Sequence, residues 1–159
     1  MPRLIFISFF VSLIFSCGSI KLSKEHKQQH QYIPKDFHNT YLGMSLEDFK
    51  NKKPNAKFYS ESDFRKIYSE EISGGDIKTV SYYFGTKDNL PLYEYIFDYH
   101  SKDKRDAFIE SNLGAPNDGD QWRFSTKEGF DILAWTYKNK LIVTGLIVNT
   151  EWYDEENNN

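Results

Sequence analysis

The chain has 159 residues, a formal net charge of −3 and 17% aromatic residues. So mild a charge argues against a nucleic-acid partner, for which a basic patch is expected. The length suits one domain with a sizeable core. The single cysteine, Cys17, excludes an intramolecular disulfide, so burial must supply the stability.

The N-terminal stretch carries the strongest signal. Met1 and Arg3 place positive charge ahead of Leu4–Phe15, an apolar run broken only by Ser8 and Ser12. The run fits the core of a secretory signal and is too short for a membrane-spanning helix, which needs about 20 apolar residues. Ile14-Phe15-Ser16-Cys17-Gly18 resembles the lipobox of bacterial lipoproteins, with an aliphatic residue three before the cysteine and a small one just before it. The resemblance implies that residues 1–16 are removed as a signal peptide. Cys17 would then be acylated on its sulfur and its new amino terminus. The protein would be held by lipid in the cell envelope, with the outer membrane as the expected location. Several acyl chains anchor durably, since each buried CH₂ contributes about 0.8 kcal/mol. An ordinary cleaved signal is the other reading. An isolated cysteine at this position favours the lipoprotein.

Residues 17–39 read as the acylated cysteine followed by a flexible polar tether, rich in Lys, Gln and His. His26 and His30 are spaced i, i+4, so on a helix both rings could face one metal ion. No third ligand is near in sequence, so no metal site is expected.

A folded domain is expected over 40–152. Gly43-Met44-Ser45-Leu46-Glu47-Asp48-Phe49 reads as a helix start: Ser45 can cap, two acids sit near the positive end of the dipole, and Leu46 and Phe49 share a stripe. Pro54 ends the helix. Phe64–Ile72 and Ile77–Phe84 flank Ser73-Gly74-Gly75-Asp76 and predict a hairpin. In Leu92–Tyr99 the alternation puts Tyr93, Tyr95, Phe97 and Tyr99 on one face, and Leu92, Glu94, Ile96 and Asp98 on the other. Such an aromatic ladder suits core or cross-strand packing.

The pattern then restarts. Ser101–Leu113 predicts a helix capped by Ser101 or Asp103, with Phe108, Ile109 and Leu113 as its stripe, closed by Gly114 and Pro116. Trp122–Ser125 is a short strand. Phe130–Tyr137 and Leu141–Asn149 form the most apolar hairpin, turning at Lys138-Asn139-Lys140, where Asn139 can take the left-handed conformation. This hairpin is expected at the centre of the sheet. Its second strand is apolar on both faces and so needs cover on both, and Gly145 should mark a bend or a close helix approach. Residues 153–159 read as a disordered acidic tail. Both halves open with a capped helix that closes on Pro-Asn, as in Pro54-Asn55 and Pro116-Asn117, before antiparallel strands. The fold expected is α+β, an antiparallel sheet with short helices on one face, in a tandem helix-then-strands order.

Leu42-Gly43-Met44-Ser45-Leu46-Glu47-Asp48-Phe49 resembles the opening of small envelope lipoproteins of the SmpA/OmlA family, which includes an accessory lipoprotein of outer-membrane β-barrel assembly. The architecture is similar to the β-lactamase-inhibitor-protein-like fold, which can occur as a tandem repeat. Leu113-Gly114-Ala115-Pro116 is similar to the helix closure of that family. The resemblance implies fold more than function, and no partner-binding residue is carried over.

No nucleophile elbow, zinc-protease motif, Cys pair or phosphate-binding glycine loop is present in the sequence. Asp98 and His100, i, i+2 at a strand end, could share a face as an acid/base pair, but no nucleophile is evident beside them. Asn117-Asp118-Gly119-Asp120 lacks the spacing of a calcium loop and reads as a tight turn. No catalytic residue and no cofactor are therefore expected. The expectation is a membrane-anchored, non-enzymatic protein-interaction module. Its partners would be a lipid bilayer, through Cys17, and a protein. An inhibitor or immunity protein against an envelope-directed hydrolase is the alternative, and an enzyme using Asp98 and His100 is the third class.

Replacing Cys17 with Ala should shift the protein from the membrane fraction to the soluble fraction. Detergent-dependent membrane retention of that variant would contradict acylation at Cys17.

Overall fold

The computed structural model describes residues 26–153. Cys17 and the signal-like segment lie outside these residues, as do residues 154–159. Among these residues the architecture is α+β: a seven-stranded, wholly antiparallel sheet with two short α-helices. In chain order the elements are α1 (Leu46–Lys52), β1 (Lys57–Glu61), β2 (Lys66–Glu71), β3 (Ile77–Phe84), β4 (Leu92–Tyr99), α2 (Lys102–Asn112), β5 (Trp122–Ser125), β6 (Asp131–Tyr137) and β7 (Lys140–Gly145). The strands lie in the order β1-β2-β3-β4-β7-β6-β5. Each helix precedes a run of strands, four after α1 and three after α2, and the two runs meet where β4 pairs with β7.

Helix boundaries follow the local chemistry. Ser45 Oγ accepts the Asp48 N–H at 3.1 Å, and Ser101 Oγ accepts the Lys104 N–H at 3.3 Å. Gly43 adopts φ +92°, where a Cβ would be strained, and its N–H donates to the Leu92 carbonyl at 2.8 Å. That bond ties the start of α1 to the start of β4. Phe49 packs against Tyr82 and Phe84, while Phe108 and Ile109 of α2, with Leu113 just after it, rest on the same buried cluster. Both helices therefore cover one face of the sheet. Beneath them Tyr95 and Phe97 of β4 stack at 5.4 Å, and Tyr82 meets Tyr95 edge-on. Each such ring contributes about 1.5–3 kcal/mol by burial.

Four expectations are corrected. First, the tether does not run through residues 26–38. Two 3₁₀ turns, His26–Gln31 and Lys35–Phe37, pack this segment onto the sheet. Tyr32 stacks on Phe124 at 4.1 Å, Phe37 meets Phe97, and Ile33 is buried. Gln29 is buried too, and its amide both accepts from the Leu42 N–H (2.7 Å) and donates toward the Leu42 carbonyl (3.3 Å). The segment is polar in composition, but its few apolar side chains all point inward.

Second, β4 is the central strand, and the β6–β7 hairpin lies beside it. Third, β7 ends at Gly145 rather than Asn149. A Cβ there would sit 2.9 Å from the Phe130 ring, so the close approach is by an aromatic ring and not a helix. Beyond it the Leu146 N–H donates to the Asp131 carbonyl, and Val148 is exposed. In the turn between β6 and β7 the left-handed residue is Lys138 (φ 55°), not Asn139. Fourth, Tyr93 does not share a face with Tyr95. Tyr83 pairs with Glu94 but Phe84 pairs with Leu92, so Tyr93 is the extra residue of a β-bulge. Leu92 joins the helix-side core, and Tyr93 does not. Strand β1 was not anticipated, because as an edge strand it is exposed on nearly every residue and carries no readable alternation.

A chain beginning at Thr40 should be several kcal/mol less stable than one beginning at His26, because it loses Tyr32, Ile33 and Phe37 from the core. Denaturant melts of the two, run in reducing buffer, measure the difference. Equal midpoints would show that residues 26–38 add nothing.

Candidate functional site: an aromatic groove on the open face

The face of the sheet away from the helices is covered only in part. The bulge at Tyr93 places Tyr93 and Glu94 together on this side, where a helical turn at residues 151–153 folds back across them. Tyr93 Oη donates to Glu151 Oε2 at 2.8 Å. The Arg65 guanidinium donates to the same carboxylate at 3.2 Å and lies over the Tyr83 ring. The Trp152 indole N–H donates to Glu94 Oε2. Beneath them Thr144 Oγ1 donates to the Tyr93 carbonyl at 3.0 Å. One short turn is thus held by an ion pair, a phenol and an indole.

Glu94 is 4% exposed. Burial pushes its carboxyl up to about 8, helped by the Glu151 charge and opposed by the Trp152 hydrogen bond and Arg65. Burial and then the bond to Glu151 push the Tyr93 hydroxyl well above its ordinary range.

The Trp152 ring meets Trp135 of β6 at 5.1 Å, with 72° between planes. Together they wall a groove of about 420 Å³, whose other lining residues are Leu133, Thr136, Asp120 and Gln121. Tyr137, two residues beyond Trp135 on the same strand face, is 57% exposed. Large aromatic side chains that stay accessible on a rigid strand are the usual anchors of protein interfaces.

The structure places the residues singled out in the sequence elsewhere. Cys17 lies outside the described residues. His26 stacks on Tyr41 at 3.7 Å with Nδ1 3.7 Å from a Glu128 oxygen, while His30 stacks on His38 at 3.9 Å. Among the described residues no group of three or more His, Cys, Asp or Glu could hold a metal ion. Asp98 and His100 are joined by no hydrogen bond: Asp98 sits in the sheet opposite Thr79 and Lys140, and His100 is exposed, its N–H on the Asp76 carbonyl. Asn117–Asp120 is a turn, with Gly119 at φ 65° and the Asn117 side chain bonded to both backbone groups of Arg123. The groove residues were not foreseen. The available signal was Glu94, an acid between two tyrosines of an apolar strand, and a Trp just before the acidic tail.

Between about pH 4.5, where an unfolded carboxyl ionises, and about 8, the folded state holds a proton on Glu94 that the unfolded state has lost. Stability from this group is therefore present below pH 4.5 and declines as pH rises toward 8. Glu94→Gln keeps an acceptor for Trp152 and should raise the melting temperature at pH 7.5, flattening the slope between pH 5 and 8. An unchanged pH profile would place the titration elsewhere. Comparison with protein-family models, with curated proteins and with solved structures returns no match.

Proposed function

We propose that this chain is a lipid-anchored protein of the cell envelope whose folded domain is a non-enzymatic protein-interaction module. The carrying observation is the groove walled by Trp135 and Trp152, flanked by exposed Tyr137, on the sheet face the helices leave open. Rigid aromatic walls bury area at little conformational cost, which suits binding of another protein. The signal-like Leu4–Ser16 and the lipobox-like Ile14–Gly18 support the anchoring half of the proposal. The resemblance to the SmpA/OmlA family rests on the helix-boundary motifs alone and supports the same setting. An inhibitor or immunity protein would use the same face. It differs in that its partner would be a hydrolase losing activity on binding.

The test is site-specific photo-cross-linking on the full chain in membranes. A cross-linker at Tyr137 should give a discrete adduct that Trp135→Ala diminishes. One at Glu110, exposed on α2 on the opposite side of the sheet, should give none. Adducts from Glu110 and none from Tyr137 would move the interface to the helical face.

A further inference from the structure

We infer that the groove lined by Trp135 and Trp152 receives an arginine side chain of the partner protein, with Asp120 as its counter-ion. This rests on the preceding proposal that the open face binds a protein, and it specifies the chemistry of what is bound.

Three observations carry it. Among the described residues the groove lining contains no Lys, Arg or His: Trp135, Trp152, Gln121 and Asp120 stand around Leu133 and the Thr136 backbone. The Trp152 N–H is already spent on Glu94, so that ring has no free donor to offer a ligand. A ligand that brings donors for the Asp120 carboxylate and a flat cationic surface for the indoles suits this lining, which is the description of a guanidinium. Its attraction to indole faces is electrostatic and strengthens as water is excluded.

The local charges point the same way. Arg123 already faces Asp118 at 3.1 Å and Asp131 at 3.5 Å, and Arg65 is held by Glu151. Among the described residues Asp120 has no ion-pair partner, and it is exposed at the groove mouth. The groove is thus lined by two indoles and one acid without an ion-pair partner among the described residues, Asp120, which is complementary to a cation.

Arginine is favoured over lysine because its planar fork can stack on one indole while donating to Asp120. A lysine would make a point contact with one or the other.

The test titrates the full chain in detergent with the peptide Gly-Arg-Gly-Arg-Gly and reads the indole N–H resonances of Trp135 and Trp152. Both should shift saturably. The same peptide with citrulline, which keeps the shape and loses the charge, should not bind. Asp120→Asn, a surface change that leaves the core intact, should weaken binding several-fold, and Trp135→Leu should weaken it about tenfold. Equal binding of the citrulline peptide, preference for a leucine peptide, or no saturable shift would overturn the assignment. If that happens while the Tyr137 cross-link persists, the interface stands and only its cationic ligand is wrong. Loss of the Tyr137 cross-link as well removes the interface itself.

Discussion

One extra residue in β4 organises this molecule. Without the bulge at Tyr93, strict alternation would put Leu92 with Glu94 on the open face and Tyr93 with Tyr95 in the helix-side core. With it, Leu92 stays under the helices, where its backbone also holds Gly43 and Met44 ahead of α1. Tyr93 and Glu94 then lie side by side on the far face, and each takes one contact from the turn at residues 151–153. The aromatic groove exists because that turn is fastened there. A single register shift thus links the packing of α1 to the placement of Trp152.

The core that supports this mixes aromatic and aliphatic side chains in nearly equal number and needs no cross-link. Tyr95 shows how its polar atoms are managed: the ring stacks on Phe97 while its hydroxyl donates to Thr40, whose own hydroxyl donates to the Phe37 carbonyl. That chain of bonds reaches the N-terminal segment, which explains why residues 26–38 belong to the domain. It also bears on the proposed anchor. Only residues 18–25 separate Cys17 from the packed segment, a reach of at most about 30 Å. A lipid on Cys17 would keep the domain close to the membrane surface.

Glu94 is a local conflict in an otherwise consistent design. A carboxyl with its pKa pushed up to about 8 by burial makes the fold less stable at neutral pH than a neutral isostere would. What it provides is a fixed acceptor for the Trp152 indole, so the ring is held at one angle against Trp135. Stability given up to fix an aromatic wall is the pattern expected where a surface binds something.

The sequence by itself determined the features that depend on short-range chemistry. Ser45 and Ser101 cap the helices as their neighbours require, Gly74 and Gly75 turn the β2–β3 hairpin at positive φ, and alternation located β3, β4, β6 and most of β7. The α+β class and the helix-then-strands order followed from these. Tertiary structure alone decided the rest. Alternation assumes an unbroken pleat, so it could not reveal the bulge that turns Tyr93 away from Tyr95. Composition could not show that Gln29 satisfies the Leu42 backbone and lets a polar segment pack. Nor could it bring Trp152 beside Trp135 or Glu151 to Arg65, 86 residues apart. Those contacts depend on how the chain returns across the sheet, and no local propensity encodes that path.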